Sequence, residues 1–270
     1  MLIDGKDTDL IAADDRGLLY GDGLFETIAV RDGVPQLWSP HMMRLDRDCA
    51  RLGITPPAQE LLQSEAQALC AASGRAVLKI IITRGSGGRG YRPSSQNIPR
   101  RILSLHPWPD YPAQFWQQGV VVRLCDTRLG ENPRLAGIKH LNRLEQVLAR
   151  AEWDDAAIAE GLMLDSDDNL IEGTMSNVFL VRDGRLQTPA LERCGVAGVM
   201  RGHVAAQAAQ AGIPCEVLRL GVDDVQAADE VFVCNSVIGI WPVRRFLARE
   251  FVPGPLTRRL QQATGGLTHA

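Results

Sequence analysis

A single lysine stands directly ahead of a helix-like segment in the middle of the chain. Residues 135–150 read LAGIKHLNRLEQVLAR, in which Lys139 follows Gly137 and Ile138. This apolar approach would remove water from an ammonium group and favour its neutral, nucleophilic form. An ordinary surface lysine is the alternative, although a cation near a helix N-terminus opposes the helix dipole. Lys139 is therefore a candidate nucleophile.

An acidic residue interrupts an apolar, strand-like run further along the chain. Glu172 lies within LIEGTMSNVFL, and a carboxylate is seldom placed on a buried strand without a partner. One interpretation is an edge strand with Glu172 turned to water. The other is a carboxylate that holds a proton on the ring nitrogen of a pyridinium cofactor.

Three features could bind an anion. The turn at 195–198, GVAG, precedes a predicted helix at Val199, where unpaired amides and the helix dipole would face a phosphate. The dipole alone contributes only about 0.3–1 kcal/mol at an exposed helix end. Several donors must therefore converge, and Ser236 in the segment NSV is another candidate. Arg44, inside a predicted helix, is either a surface charge or an inward anion ligand.

The glycine-rich segment RGSGGRGY at 84–91 follows a predicted strand and contains the pattern GxGxxG. No helix is predicted after it, so we reject a dinucleotide site. The loop instead presents Arg84, Arg89 and Tyr91. An arginine there could grip a carboxylate through two parallel hydrogen bonds. A solvated turn is the alternative.

Composition and charge limit the classes of protein to which this chain could belong. The 270 residues, 45% of them hydrophobic and 23% charged, are typical of a globular protein with a full core. A net charge of -3 without a long basic run argues against nucleic acid and anionic membranes as partners. The first residues, MLIDGKDTDL, do not resemble a signal peptide, and no apolar run has membrane-spanning length, so we expect a cytoplasmic protein. The six scattered cysteines suit a reducing compartment, and neither they nor the histidines have metal-site spacing.

Two helices must position these residues. Asn142 and Glu145 have capping-box spacing, which predicts a helix from about Arg143. Its predicted buried stripe is Leu141, Leu144, Leu148 and Ala151. The helix that carries Arg44 is predicted to have Ser39 as its N-cap and Gly53 as its terminator. Its predicted apolar stripe is Met42, Leu45, Cys49 and Leu52.

Strands outnumber helices in this pattern, and hairpins outnumber crossover units, which predicts an α+β fold in two domains. The segment at 107–118, rich in proline and aromatic residues, is the best candidate for a linker. We therefore predict a small N-terminal α+β domain at 1–112, a linker at 113–118 and a larger, mostly-β C-terminal domain with helices at 119–270.

Seven motifs spread over nearly the whole chain resemble those of the fold-type IV pyridoxal-phosphate enzymes. They are YGDGLFET, HMMRL, RGSGGRGY, LAGIKHLNRLEQVLA, LIEGTMSNVFLV, GVAGVMR and CNSVIGIWPV. The family includes branched-chain and D-amino-acid aminotransferases and aminodeoxychorismate lyases. The resemblance implies a homodimer that binds pyridoxal 5'-phosphate at the interface of a small N-terminal and a larger C-terminal domain.

The resemblance also implies roles for individual residues. Lys139 would bind the cofactor covalently, Glu172 would pair with its pyridine nitrogen, and Arg44 would bind its phosphate. The rest of the phosphate cradle would be the backbone amides of Val199 and Met200 together with Ser236.

On the substrate side, the resemblance implies that Arg89 grips a carboxylate, with Tyr91 in the same loop. Two segments, GIKHLNRLEQVLAR and TRGSGGRGY, look most like the aminodeoxychorismate lyases, which release 4-aminobenzoate and pyruvate from 4-amino-4-deoxychorismate for folate synthesis. Phe25 replaces the tyrosine of D-amino-acid aminotransferases, and Thr27 matches a threonine that the lyases place near the reacting carbon. Two alternatives stay open, namely an aminotransferase and a vitamin-binding protein without turnover. The second would not need both Lys139 and Glu172.

Overall fold

The computed structural model describes residues 1–95 and 97–265, and the chain divides into two compact units. The units comprise Met1–Pro109 with Ile138–Asn142, and Asp110–Gly137 with Arg143–Ala270. The short segment around Lys139 therefore belongs to the first unit, although its neighbours in sequence belong to the second. No helix within the described residues is both long and apolar enough to cross a membrane.

The first unit contains, among its described residues, one antiparallel sheet of six strands in the order β2-β1-β6-β5-β3-β4. The strands are β1 Leu2–Ile3, β2 Lys6–Asp7, β3 Gly23–Arg31, β4 Val34–Pro35, β5 Arg75–Thr83 and β6 Arg100–Pro107. The helices are α1 Arg16–Tyr20, α2 Trp38–Leu52 and α3 Gln59–Cys70.

The two faces of this sheet differ because side chains alternate along β3 and β5. One face is apolar apart from the buried Glu26 and packs with residues of α2 and α3 into a core that includes Leu24, Ile28 and Leu78. The opposite face carries the half-buried side chains of Phe25 and Thr27. That face is free to carry polar groups, since it does not form the core.

Helix α2 ends as predicted and begins differently. Gly53 is the C-cap, with φ of 64° in the left-handed region that favours glycine. The N-cap is Leu37, without a side-chain hydrogen bond, so the prediction of Ser39 as N-cap is wrong. The helix starts at Trp38, two residues earlier than an N-cap at Ser39 predicts. The predicted stripe of Met42, Leu45 and Cys49 is buried, and Leu52 is partly buried.

The second unit contains, within the described part of the chain, a mixed sheet of nine strands. Its order is β12-β11-β10-β13-β14-β7-β8-β9, and β15 pairs with β14. The strands are β7 Val120–Leu124, β8 Ile158–Leu164, β9 Leu170–Gly173, β10 Asn177–Arg182, β11 Arg185–Pro189, β12 Cys215–Leu218, β13 Glu230–Asn235, β14 Gly239–Phe246 and β15 Arg249–Glu250. The helices are α4 Gln114–Gln117, α5 Leu144–Arg150, α6 Val199–Gln210, α7 Val222–Ala227 and α8 Pro255–Ala263. The predicted α+β class is confirmed.

The core of the second unit is built around Trp241, which is fully buried. Trp116 on α4 packs against it edge to face, with ring centroids 5.7 Å apart. The indole N–H of Trp116 donates to the Ile238 carbonyl at 2.7 Å. The proline- and aromatic-rich segment at 107–118 therefore contributes a helix and a core side chain to this unit.

The predicted burial of the α5 stripe is wrong. Leu144 is 75% exposed, Leu148 is 60% exposed and Val147 is 59% exposed, whereas Ala149 is fully buried. The residue that faces the core is thus the small alanine. The expected capping box is also wrong, because the N-cap is Arg143 without a side-chain cap bond. Glu145 instead accepts a hydrogen bond from the Gly130 N–H at 2.8 Å.

Candidate functional site

The Lys139 segment is held in the first unit by strand-like pairing with the start of β3. The Phe25 N–H donates to the Lys139 carbonyl at 3.0 Å, and the Leu141 N–H donates to the Gly23 carbonyl at 3.0 Å. The Lys139 N–H points to α2, where it donates to Asp48 Oδ2 at 3.3 Å. Lys139 therefore lies outside any helix, as predicted, on a backbone fixed from two sides.

The side chain of Lys139 lies over the ring of Phe25, with Nζ 4.2 Å from the ring centroid. A second ammonium shares this ring, since Lys79 Nζ lies 5.2 Å from the same centroid. Lys79 on β5 is the cross-strand partner of Thr27 on β3, so their side chains project from the same face of the sheet as Phe25. This half-buried face thus brings two cations and one hydroxyl together.

Arg44 points inward and forms a charged cluster with Glu26 and His41. Its Nε donates to Glu26 Oε1 at 2.8 Å, and its Nη2 donates to Oε2 at 2.5 Å. His41 Nδ1 lies 2.6 Å from the same Oε2. Glu26 is fully buried, and Arg44 is only 7% exposed. The alternative that Arg44 is a surface charge is therefore wrong.

The charge state of this cluster follows from its contacts. Burial would raise the pKa of Glu26, but the charge of Arg44 and the hydrogen bonds from His41 and Arg44 outweigh it and lower that pKa to about 2. Burial lowers the pKa of His41, against the opposing effect of Glu26. At neutral pH the cluster consequently holds an ionised Glu26 beside Arg44 and a neutral imidazole.

The two arginines of the glycine loop, Arg84 and Arg89, have different surroundings. Arg84 Nε donates to Asp22 Oδ2 at 2.8 Å, and its other nitrogens donate to the carbonyls of Leu52 and Gly53. Arg84 thus ties the end of β5 to the end of α2, and the expectation that the loop presents it is wrong. Arg89 is exposed and has no ion pair with a residue in 1–95 or 97–265.

Arg16 fixes the far end of the same loop. Its Nη1 donates to the Gly90 carbonyl at 2.9 Å, and its Nη2 donates to the Tyr91 carbonyl at 2.9 Å. Tyr91 is 85% exposed, and its ring centroid lies 5.4 Å from that of Tyr20. No helix follows the loop among the described residues before β6.

In the second unit, Glu172 is a buried carboxylate with identified partners. It is 4% exposed on β9 and accepts a hydrogen bond from the Val196 N–H at 2.8 Å. Gln146 Nε2 lies 3.4 Å from its other oxygen. Burial lowers the pKa of Arg143, and the charge of Glu172 opposes that shift. β9 is an edge strand of its sheet, but the expectation that Glu172 would turn to water there is wrong.

The turn that precedes α6 is attached to the strands around Glu172. The Val196 N–H is taken by Glu172, and the Ala197 N–H donates to the Gly137 carbonyl at 3.0 Å. Asn177 Nδ2 donates to the Val196 carbonyl at 2.9 Å. The amides that remain for an anion are those at the start of α6, at Val199 and Met200, because the first amides of a helix have no acceptor within it.

Ser236 lies in the turn after β13. Asn235 Oδ1 shapes this turn by accepting hydrogen bonds from the N–H groups of Val237 and Ile238, both at 2.9 Å. Ser236 is half-buried, and its hydroxyl makes no hydrogen bond with a residue that the structure describes. Its hydroxyl could therefore donate a hydrogen bond to a ligand, and its role as an anion ligand stays a prediction.

Glu160 is a further buried carboxylate of the second unit that the sequence did not indicate. It is fully buried and accepts hydrogen bonds from both the backbone and the hydroxyl of Thr174, and from the Ser176 hydroxyl. The Met175 N–H donates to it at 3.2 Å. Glu160 thus fixes the turn between β9 and β10. Lys79, Glu26 and His41 were missed as well, and their signal was a charged or polar side chain inside an apolar run.

Other chemistries find less support. All six cysteines are free thiols, and burial raises the pKa of Cys49, Cys125, Cys194 and Cys234 to about 12. Such thiols stay protonated and are poor nucleophiles. The residues that the structure describes contain no cluster of three or more metal-ligating side chains.

Comparison with known proteins identifies the family. The model of the family "Amino-transferase class IV" matches residues 23–246. An aminodeoxychorismate lyase of Vibrio harveyi is 40% identical over 251 residues, covering 92% of this chain and 93% of that protein. The crystal structure of 4-amino-4-deoxychorismate lyase from Pseudomonas aeruginosa is 52% identical, with a TM-score of 0.93 and coverage of 97% of this chain and 96% of that one. The branched-chain amino acid aminotransferase of Escherichia coli is 25% identical, with a TM-score of 0.89 and coverage of 98% and 93%. The chain belongs to the class IV aminotransferase family.

Proposed function

We propose that the chain is a pyridoxal 5'-phosphate-dependent 4-amino-4-deoxychorismate lyase, which forms 4-aminobenzoate and pyruvate for folate synthesis. The observation that carries the proposal is the 52% identity with a lyase of this name across 97% of the chain, against 25% for an aminotransferase. The residues that the reaction requires stand in the environments described above. The elimination needs no oxidant or co-substrate, since substrate and products have the same atoms.

The residues present fit the cofactor. A cradle for a phosphate needs backbone amides without an acceptor, and the first amides of α6, at Val199 and Met200, have none within the helix. A pyridinium needs a carboxylate, and Glu172 is buried and fixed by the Val196 N–H. We therefore assign Lys139 to the covalent attachment, and Arg44, Ser236 and the start of α6 to the phosphate.

When bound, pyridoxal 5'-phosphate supplies a ring that accepts electrons from a carbon losing its proton. Glu172 keeps a proton on the ring nitrogen and so maintains that capacity. With the cofactor held by Lys139, the Nζ of this lysine would be the base for the proton of the amine-bearing carbon. Lys139 then gives a proton to the leaving oxygen as the ring becomes aromatic, and Thr27 orients that oxygen through its hydroxyl.

The substrate carries two carboxylates, and the first unit offers two cations for them. Arg89 in the glycine loop is assigned to one, because a guanidinium can hold a carboxylate through two hydrogen bonds. Lys79 is suited to the other. It lies on the sheet face of Lys139 and Thr27 and has no ion pair among the residues described. Tyr91 stands in the loop beside Arg89 as a further substrate contact.

A branched-chain aminotransferase is the second candidate, because a putative enzyme of this kind from Methanocaldococcus jannaschii is 30% identical over 96% of the chain. One experiment separates the two. The purified protein is incubated with 4-amino-4-deoxychorismate, and in parallel with an L-branched-chain amino acid and 2-oxoglutarate. We expect 4-aminobenzoate and pyruvate in equal amounts from the first mixture. Amino-group exchange in the second mixture, with no pyruvate from the first, would overturn the proposal.

We also propose that the protein is a cytoplasmic homodimer. The exposed apolar side chains of α5, at Leu144, Val147 and Leu148, form a continuous helical face of the kind that a second copy would cover. The six free thiols suit a reducing compartment. Size-exclusion chromatography with light scattering tests the dimer, and a monomeric mass at micromolar concentration would contradict it.

A further inference from the structure

We propose that Glu26, held in turn by His41, is the positioning residue that orients Arg44 toward the cofactor phosphate. The inference rests on the proposed function, because it takes Arg44 as a phosphate ligand. It concerns residues within the first unit only. Glu26 lies within the segment YGDGLFET, but its residue type and position alone do not indicate the role that its contacts show.

The contacts show how the Arg44 side chain could bind Glu26 and a phosphate at the same time. Glu26 binds the edge of the guanidinium formed by Nε and Nη2, at 2.8 and 2.5 Å. A guanidinium has five N–H donors in a plane, so a carboxylate on one edge fixes the direction of the opposite edge. Because Glu26 is fully buried in the core side of β3, this direction is set by the sheet.

His41 fixes Glu26 in the same way. An ionised carboxylate only accepts, so the 2.6 Å contact requires the proton of the imidazole on Nδ1. His41 Nε2 is buried and has no hydrogen-bond partner among the described residues. Among the described residues, the ring of His41 thus makes one hydrogen bond, the one to Glu26. His41 and Arg44 lie three residues apart on α2, which places both on one face of the helix.

Two possible roles of Glu26, orienting Arg44 or compensating its charge, predict opposite effects on phosphate binding when the Glu26 carboxylate is removed. If Glu26 only compensated the charge of Arg44, its neutralisation would leave the phosphate facing a stronger cation, and binding would tighten. If Glu26 orients Arg44, neutralisation releases one edge of the guanidinium and binding weakens. Glu26→Gln also places an amide N–H against the donors of Arg44 or His41, which removes the present geometry. The sign of the change therefore tests the proposal.

The experiment measures binding to the apoenzyme with two probes, pyridoxal 5'-phosphate and phosphate-free pyridoxal. We expect Glu26→Gln to raise the Kd for the phosphorylated probe about tenfold and to leave the Kd for pyridoxal unchanged. The matched control is Glu65→Gln. Glu65 forms the same two-bond pair with Arg101 in the same unit, at 2.8 and 2.7 Å, and it is not a site residue. The control should change neither Kd.

Further variants separate this inference from the proposed function. Arg44→Lys should weaken binding of the phosphorylated probe by itself, and Glu26→Gln should add no further loss in the Arg44→Lys background. If Arg44→Lys has no effect, the phosphate role of Arg44 is wrong. If only Glu26→Gln has no effect, or tightens binding, the positioning role of Glu26 is wrong.

A substitution of His41 provides the test if Glu26→Gln does not fold. His41→Asn keeps an N–H donor near the position of Nδ1, whereas His41→Leu removes it. The leucine variant should weaken binding of pyridoxal 5'-phosphate relative to the asparagine variant, again without a change for pyridoxal. Equal affinities in the two variants would contradict the proposal.

Discussion

Gly198 gives a sharp test of how the start of α6 is built. A Cβ at this position would come closer to Asn177 Oδ1 than real Cβ atoms come to any neighbour, so Asn177 would have to withdraw. Its Nδ2 would then lose the hydrogen bond to the Val196 carbonyl, in a side chain that is only 6% exposed. Loss of one buried hydrogen bond costs about 1–3 kcal/mol. Because Val196 also binds Glu172, the displaced turn should disturb both the phosphate amides and the carboxylate.

Gly202 is the matched control, four residues further along the same helix. A Cβ there would meet nothing within 4 Å, and Gly202 is exposed. Gly202→Ala should therefore stabilise the protein by up to about 1 kcal/mol through helix propensity. Gly198→Ala should instead lower the free energy of unfolding by about 1–3 kcal/mol and raise the Kd for pyridoxal 5'-phosphate about tenfold. Urea unfolding and titration of the apoenzyme measure both quantities. A Gly198→Ala variant that behaves like Gly202→Ala would refute this description of the turn.

Four further predictions concern single side chains. Glu172→Gln should retain the cofactor and lower kcat by at least about 10²-fold in a steady-state assay, since an amide cannot hold the ring proton. Lys79→Gln should lower kcat/KM about 10- to 100-fold, mainly through KM, if the ammonium binds a carboxylate. Leu148→Glu should shift the mass in light scattering toward the monomer, because its exposed side chain would lie in the dimer interface. The pKa of Glu26 is lowered from 4.5 to about 2, which corresponds to about 3 kcal/mol of folding stability. This stability is present above pH 4.5 and is lost as the pH falls to 2. The free energy of unfolding of Glu26→Gln should not show this pH-dependent loss.

Sequence reasoning was most reliable where a signal is local. Gly53 ends α2, and the Asp-Gly turns after β3 and β10 have positive φ at Asp32, Gly33, Asp183 and Gly184. Lys139 lies outside a helix, as its neighbours in sequence predicted, and Glu172 is buried, which is one of the two interpretations that the sequence left open. The helix end and the two turns are determined within a few residues, whereas the partners of Lys139 and Glu172 are distant in sequence, at Asp48 and Val196.

It failed where distant residues decide the outcome. The stripe on α5 has helical spacing, but spacing cannot distinguish a core from a surface that a second molecule would cover, and Leu144 is exposed. Arg84 resembles the other arginine of its loop in sequence, yet its partners are 31 and 32 residues away at Gly53 and Leu52. Short helices were missed for a different reason. α1 has only 5 residues and so too few positions for helical periodicity, although its cap bond from the Gly17 N–H to the Asp15 side chain is local.

The same limit explains the missing site residues. Glu26 and His41 are 15 positions apart, and Lys79 faces Thr27 only because β5 pairs with β3 in one register. A shift of that register by one residue would move Lys79 to the opposite face. The chemistry of the face therefore depends on strand pairing, which a pattern of residue types does not specify.

The central claim is that Lys139 carries the cofactor, and borohydride reduction tests it most directly. The protein is incubated with pyridoxal 5'-phosphate, reduced and digested, and the modified peptide is identified by mass spectrometry. The account predicts one stoichiometric label, on Lys139, and none at this position in Lys139→Ala. A label mainly on Lys79, or full lyase activity in Lys139→Ala, would contradict it.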